Sequence, residues 1–297
     1  MMSSGQDFWP SGVMAAAAVT FDVDAESAML SASPASADRL SLMTHQAYGP
    51  RTAVPRLLRL LAERGILATF FIPGYTAERW PDTVRAIRDA GHEIGHHGFL
   101  HEPLGTDEAM EERYLTRGLE ALDRVADVRP IGYRAPNWET SYRTPSLLAR
   151  YGFRYDSSLM DADRPYRLAT GPGADAPWLI EIPIHWGLDD WEQYGFAPGL
   201  IRSGTIASPT KVAEMWLLEL AASVAAGGCC VVTVHPFLSG RPSRAAAVAE
   251  YLDELVRLRD NGVWVATLEA IASHVATLEL PGIVNDQPII PDGWLPD

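Results

Sequence analysis

Two histidines four residues apart, His97 and His101 in the run GHEIGHHGFLHE, lie far downstream of an acidic segment, Phe21-Asp22-Val23-Asp24-Ala25-Glu26. Imidazoles at i and i+4 share one side of a helical turn, so the spacing predicts that both reach a single cation from such a turn. A carboxylate from the earlier segment would complete a set of two nitrogens and one oxygen. That set leaves coordination positions for water and substrate, as a catalytic divalent metal requires. The other carboxylate, two residues away on the same face of a strand, is then free to act as a base. These residue types in this order point to metal-dependent hydrolysis.

The elements that must position these groups alternate between strand and helix. Strand-like apolar runs occur at Met14–Phe21, Ile66–Ile72, Glu93–Gly95, Ile131–Tyr133, Leu179–Ile184, Cys229–Val234 and Val263–Ala266. Helical patterns separate them at Val54–Arg64, Pro81–Ala90, Asp107–Val125, Thr144–Tyr151, Pro209–Ala226, Arg244–Asn261 and Leu268–Val275. Such alternation predicts a parallel α/β sheet, closed or nearly closed into a barrel, with each chemical motif at the C-terminal end of a strand. Two stretches, Asp161–Trp178 and Trp186–Thr205, read as long loops, which in compact domains are usually functional. The expected organisation is one barrel domain over residues 1–279 and an extended, Pro-rich tail over 280–297. Ile283, Val284, Ile289, Ile290, Trp294 and Leu295 in that tail predict that it is docked, either in a groove of its own chain or on a neighbouring subunit of a homo-oligomer.

The 297 residues are 47% hydrophobic and 21% charged, enough for one large core. A formal charge of −14 repels phosphate and anionic lipid, so nucleic acid and membrane are excluded as expected partners. Cys229 and Cys230 are neighbours that a strand would send to opposite faces, which makes them small buried hydrophobes and not a disulfide. The apolar stretch from Val13 to Val19 has no basic flank and runs straight into the acidic segment, so it reads as the first strand and not as a signal peptide. A cytoplasmic location is expected. No run approaches the length of a membrane-spanning helix.

Five patches in order resemble the polysaccharide deacetylase family (carbohydrate esterase family 4, the NodB-homology domain). They are Thr20-Phe21-Asp22-Val23-Asp24, His97-Gly98-Phe99-Leu100-His101, Arg134-Ala135-Pro136-Asn137-Trp138, Tyr155-Asp156-Ser157-Ser158 and Val232-Thr233-Val234-His235-Pro236. The resemblance spans Trp9 to Val275 and implies a single-domain, distorted (β/α) barrel of the NodB-homology type. It also implies that Asp22 is the general base and that Asp24, His97 and His101 bind the metal. The best-known branch has adjacent aspartates, whereas Val23 separates them here. That spacing, with Glu139–Tyr142, Glu181-Ile182-Pro183 and Gly240–Arg244, is similar to an intracellular branch containing peptidoglycan-deacetylase-like proteins, allantoinase-like proteins and cyclic imide hydrolases.

Within that resemblance, Arg134 is expected to grip Asp22 through two hydrogen bonds. His235 would protonate the leaving nitrogen, with Asp156 orienting or tuning it. Trp138, Trp186, Trp191 and Tyr48 are candidates for the substrate pocket, as are Asp190 and His45. Zinc is the default for two imidazoles and a carboxylate, and cobalt, nickel or manganese also suit the set. Taken singly these residues are ordinary: a lone strand-end Asp is more often a turn or capping residue, and a lone His-x3-His more often a surface pair. Their joint occurrence with Arg134 and His235 outweighs that reading. His92 and His96 are excluded as ligands, Glu26 is either a support beside the site or a helix-start residue, and Arg241 and Arg244 are structural.

Three functions stay open at this point. The first is hydrolysis of non-peptide carbon–nitrogen bonds, with N-deacetylation of an amino sugar or polysaccharide fragment as its leading form. The others are ring opening of a small cyclic imide or ureide, and an inactive carbohydrate-binding homologue. The aromatic loop favours a closed pocket and a small or soluble N-acylated substrate.

Overall fold

The computed structural model describes residues 8–105, 107–171, 177–200 and 206–291. Its organising strand is β1 (Ala15–Asp22), buried along its whole length. One edge of β1 pairs in parallel with β8 (Cys229–Val234), from Ala16↔Cys229 to Phe21↔Val234. The other edge is shared: Thr20 to Asp22 pair with β2 (Thr69–Ile72), while Ala15 to Ala17 pair with β9 (Val263–Val265). The sheet continues through β3 (Glu93–His96), β4 (Gly132–Tyr133), β5 (Tyr155–Asp156), β7 (Trp178–Glu181), β6 (Tyr166–Ala169) and β10 (Gly282–Ile283). Among the described residues every strand pairing is parallel except that of β6 with β7.

The result is a distorted (β/α) barrel in one domain, but not a closed one. The chain leaving β7 reaches β8 through one isolated bridge, Asp189↔Thr233. The helices are α1 (Ser27–Ala32), α2 (Leu40–Tyr48), α3 (Val54–Arg64), α4 (Gly74–Arg79), α5 (Pro81–Asp89), α6 (Glu108–Ala126), α7 (Thr144–Arg150), α8 (Trp191–Tyr194), α9 (Pro209–Ala225), α10 (Pro236–Ser239), α11 (Pro242–Arg259) and α12 (Leu268–Val275). No helix among the described residues is long and apolar enough to cross a membrane.

The period-2 alternation of β1 sorts the interior into two layers. Ala17, Val19 and Phe21 pack outward with Leu57 and Leu61 of α3, Trp216 of α9 and Leu252 of α11. Ala16 and Ala18 face inward, against Leu268, Ile271 and Val275 of α12. Alanines on this face leave room for α12 to fill the barrel's floor. The same inward parity carries Thr20 and Asp22 up to the open mouth. Cys229 and Cys230 fall in the inner and outer layers respectively, unbridged, as their adjacency predicts.

The sequence pattern misses the short elements. Strand β6 lies inside the expected loop Asp161–Trp178, because its pairing with β7 and not its own periodicity defines it; residues 172–176 of that stretch lie outside the described residues. The second expected loop contains α8, and its residues 201–205 are also outside. Among the described residues of the tail, only Gly282–Ile283 pairs, with Arg167 and Leu168 of β6. Residues 284–291 are exposed, Ile289 at 91%, and bury little against the chain, although Val284 to Gln287 line one side of an open groove with Tyr142, Met160 and Leu168. Trp294 and Leu295 lie outside the described residues. A chain ended after Ile283 should therefore unfold within about 2 °C of the full-length Tm, measured by calorimetry; a larger drop would show that the tail contributes to the fold.

Candidate metal centre and catalytic site

The mouth of the barrel collects the chemistry. Asp24 lies two residues beyond Asp22, and the hydrogen bond from Val23 N to Phe71 O (2.9 Å) keeps this segment running along β2. The Asp24 side chain is fully buried, and neither carboxylate oxygen receives a hydrogen bond. Around it stand three imidazole nitrogens: His97 Nε2 3.5 Å from Oδ1, and His101 Nε2 and His235 Nε2 3.7 and 3.6 Å from Oδ2. A carboxylate removed from water without donors is costly unless a cation compensates it.

The imidazoles are prepared for that cation. His97 Nδ1 lies 2.7 Å from Arg134 O, which places its proton on Nδ1 and its lone pair on Nε2. Burial pushes the pKa of His97 down, and that of His101 down to about 4, so both rings are neutral donors. Asp24, His97 and His101 together fit a divalent ion through an open set of two nitrogens and one carboxylate. A second cluster, Asp189, Asp190 and His235, has the right residue types too. Its atoms already bond one another, however, and leave no orphaned oxygen of the kind found on Asp24.

His97 and His101 do not share a helical turn, contrary to the expectation from their spacing. They occupy a loop after β3, with Gly98 at φ 69° and His101 at φ 57°. Glu102 holds this loop by accepting from Phe99 N (2.9 Å) and Leu100 N (2.8 Å). A Cβ at position 98 would meet Glu102 Oε2 and Pro136 Cγ, each at 2.9 Å, so glycine is needed there for space as well as for φ. His96 completes the support: its Nε2 contacts Leu115 O (3.0 Å) and its Nδ1 accepts from Gly98 N (3.2 Å). Burial lowers its pKa to about 3, so it is a neutral buried spacer. His92 points elsewhere, accepting from Ala68 N (3.2 Å) at the start of β3.

Asp22 receives one hydrogen bond from Arg134, Nη1 to Oδ1 at 2.9 Å, and not the expected two-pronged grip. The other donors of Arg134 are committed elsewhere, Nε to Ser157 O and Nη2 to Ser157 Oγ, both at 3.1 Å. Burial by itself would raise the pKa of Asp22, but Arg134, His97 and His235 outweigh it and hold the carboxyl below its ordinary value. Asp22 is therefore anionic.

His235 follows β8 directly. Its Nδ1 meets Asp190 Oδ1 at 2.7 Å and Asp189 Oδ1 at 3.4 Å. Asp190 also accepts from His235 N (2.9 Å) and from Ser239 Oγ. Burial would depress the His235 pKa, yet the two aspartates raise it well above the usual imidazole range. The group that orients His235 is thus Asp190, assisted by Asp189, and not Asp156. Asp156 sits on β5 and bonds Ser157 N and Ser158 Oγ instead.

The cavity over this site has a volume of about 100 Å³ and is lined by Asp22, His97, His101, Asn137, Trp138, Trp186, Asp189, Trp191, Glu192 and His235. Trp138 enters through a turn in which both it and Asn137 have φ near +57°, conformations that non-glycine residues rarely adopt and that cluster at functional sites. Trp191 lies 5.2 Å from the His235 ring, centre to centre, and Trp186 is exposed at the rim. Tyr48 is not in the cavity: its hydroxyl bonds Arg56 and Gly240 O, and Arg241 stacks on its ring. His45 lines a separate groove with Leu40, Phe196 and Arg244. Glu26 is buried and held by Arg79 Nε (2.9 Å) and Trp80 Nε1 (2.8 Å), as a support beside Asp24.

Sequence reasoning misses Asp189, Glu102 and Ser157, and it assigns Asp190 to the cavity wall. One signal was present for the aspartates, two adjacent acids in an otherwise aromatic loop, but nothing in local spacing links them to a histidine 45 positions on.

A polysaccharide deacetylase family profile matches residues 39–155, a span that contains His97, His101 and Arg134. A peptidoglycan deacetylase from Helicobacter pylori is 31% identical over 241 residues, 73% of this chain and 82% of that protein. The crystal structure of a Mycobacterium smegmatis protein, provisionally described as a polysaccharide deacetylase, is 52% identical. It superposes with a TM-score of 0.91 over 95% of this chain and 97% of its own. An allantoinase structure superposes with a TM-score of 0.76 at 24% identity, over 92% and 95% of the two chains, a likeness of fold alone.

The loop geometry makes a prediction of its own. Glu102→Ala removes both acceptors that order the His97–His101 loop, and metal affinity measured by calorimetric titration should fall about ten- to a hundredfold with the fold retained. Unchanged affinity would show that Glu102 does not hold the loop.

Proposed function

Since the chain belongs to the polysaccharide deacetylase family, and so to the hydrolases of carbon–nitrogen bonds, we propose that it removes the N-acyl group of an acetylated amino sugar with a divalent metal held by Asp24, His97 and His101. The observation that carries the reading is the buried Asp24 carboxylate, bare of hydrogen-bond donors and ringed by imidazole nitrogens. What such an ion supplies when bound is Lewis acidity toward a carbonyl oxygen and a more acidic water.

The remaining work falls to the chain's own residues. Asp22, held anionic by Arg134, accepts the proton of the attacking water. His235, held protonated by Asp189 and Asp190, donates from Nε2 to the departing nitrogen. Trp138, Trp186 and Trp191 give the substrate ring apolar walls, a common way of binding the flat face of a sugar or a heterocycle.

A second reading is ring opening of a small cyclic imide or ureide. The size of the cavity favours it, since about 100 Å³ accommodates one small ring more readily than several linked sugars. Incubating the metal-loaded protein with N-acetylated sugars, with their short oligomers, and with cyclic imides and ureides separates the two. Release of acetate from the sugars supports the first reading, ring-opened product alone supports the second, and neither product would remove both.

Two substitutions test the division of labour. His97→Ala should abolish stoichiometric metal binding. Asp22→Asn should keep the metal and lose at least about a hundredfold in turnover, because only the proton acceptor has gone. A near-normal rate for Asp22→Asn would sink the assignment of the base.

A further inference from the structure

Two buried acids lie outside the metal centre, and the chemistry above does not use them. Asp156 on β5 and Glu181 on β7 face each other in register across parallel strands, and both are almost wholly removed from water. Each spends one oxygen as an acceptor. Asp156 Oδ1 receives Ser157 N (2.8 Å) and Ser158 Oγ (2.6 Å), and Glu181 Oε1 receives Ser158 N (3.0 Å) and Leu159 N (2.9 Å). The second oxygen of each, Asp156 Oδ2 and Glu181 Oε2, is buried without a donor.

We propose that Asp156 and Glu181 share a single proton between these two unpartnered oxygens, and that the resulting acid pair is the brace that positions Arg134, and through it Asp22. One proton satisfies both orphaned atoms at once and leaves one negative charge where two would repel in a dry interior. Ser157 and Ser158 transmit the brace. Ser157 Oγ donates to Ile182 O (2.9 Å) and accepts from Arg134 Nη2, while Ser157 O accepts from Arg134 Nε. Ser158 Oγ accepts from Ala135 N (2.9 Å), fixing the backbone next to Arg134.

The surroundings agree. The charged and titratable groups acting on the pair are Arg134, Tyr133, Tyr166 and Asp161. Of these only Arg134 is cationic, and its donors are directed to Ser157, Thr20, Thr233 and Asp22. Burial pushes the pKa of Asp156 up to about 6 and that of Glu181 well above the carboxyl range.

The proton count can be tested without any substrate. A carboxyl pair with a raised pKa holds, when folded, a proton that the unfolded chain releases, so stability falls as pH rises through that window. Buried neutral histidines such as His96 pull the other way, so the pair is read as a difference: over about pH 5 to about pH 8, denaturant unfolding of the full chain should show about one more proton taken up on folding than a variant without the shared proton. Glu181→Gln and Asp156→Asn each replace the shared proton with an amide N–H while keeping the acceptor oxygen. Each variant should therefore lose about one proton from that slope and lose the infrared carbonyl band of a buried protonated carboxyl. Retention of the wild-type slope and band in both variants would overturn the shared proton.

The brace itself rests on the hydrolase reading and is tested by turnover. Glu181→Gln should keep kcat within about threefold. Glu181→Leu, which removes the acceptor for Ser158 N and Leu159 N, should lower kcat about tenfold or more with KM little changed and metal stoichiometry intact. Equal rates for the two variants would overturn the brace and leave the proton count standing on its own test, and the reverse outcome is equally distinguishable. If Glu181→Leu does not fold, Ser157→Ala, which removes one acceptor of Arg134, takes its place with the same expected loss.

Discussion

A guanidinium without access to water has to place its donors on protein acceptors, and Arg134 does so by drawing several strands toward one point. Its Nη1 reaches Thr20 Oγ1 and Asp22 on β1 and Thr233 Oγ1 on β8, while Nε and Nη2 reach Ser157 just beyond β5. Its own carbonyl fixes the tautomer of His97 beyond β3. Phe71 of β2 lies under the charge, 4.3 Å from ring centre to guanidinium carbon. The mouth of an open barrel would otherwise be free to spread. A lysine could not span these acceptors from one point charge.

Much of this was legible in the residues. The alternation of Asp22, Val23 and Asp24 put two carboxylates on one face, and the outer and inner layers of β1 confirm that parity. Cys229–Val234, Val54–Arg64 and Leu268–Val275 have the bounds their patterns indicate, because each is long enough for periodicity to speak. Strands of two residues, such as Gly132–Tyr133 and Tyr155–Asp156, carry no period at all; their partners define them.

The site was harder to read than the fold. A four-residue spacing suits a helical turn, but Gly98 and His101 in left-handed conformations deliver the same convergence from a loop. The partner of His235 could not be inferred by distance along the chain, since it arrives where the segment after β7 touches β8 at one bridge. Asp156 stands in a recognisable motif, but it bonds two serines and lies in register with Glu181. Tyr48 stood close in sequence to plausible pocket residues and turned instead into a nest of arginines.

The alanine face of β1 has a consequence for the order in which the molecule assembles. β1 is synthesised well before its partners: the strands at its edge, β8 and β9, and the helix that fills the floor beneath Ala16 and Ala18 come more than two hundred residues later. A nascent chain holding only its first half has an apolar strand with one edge open and no plug. The closing contacts are among the most distant in the sequence, a topology that slows folding and extends the life of partly assembled states. The barrel is thus completed from its far end, after the C-terminal helix has been released to enter it, and until then its first strand is a sticky edge that the growing chain has to shield.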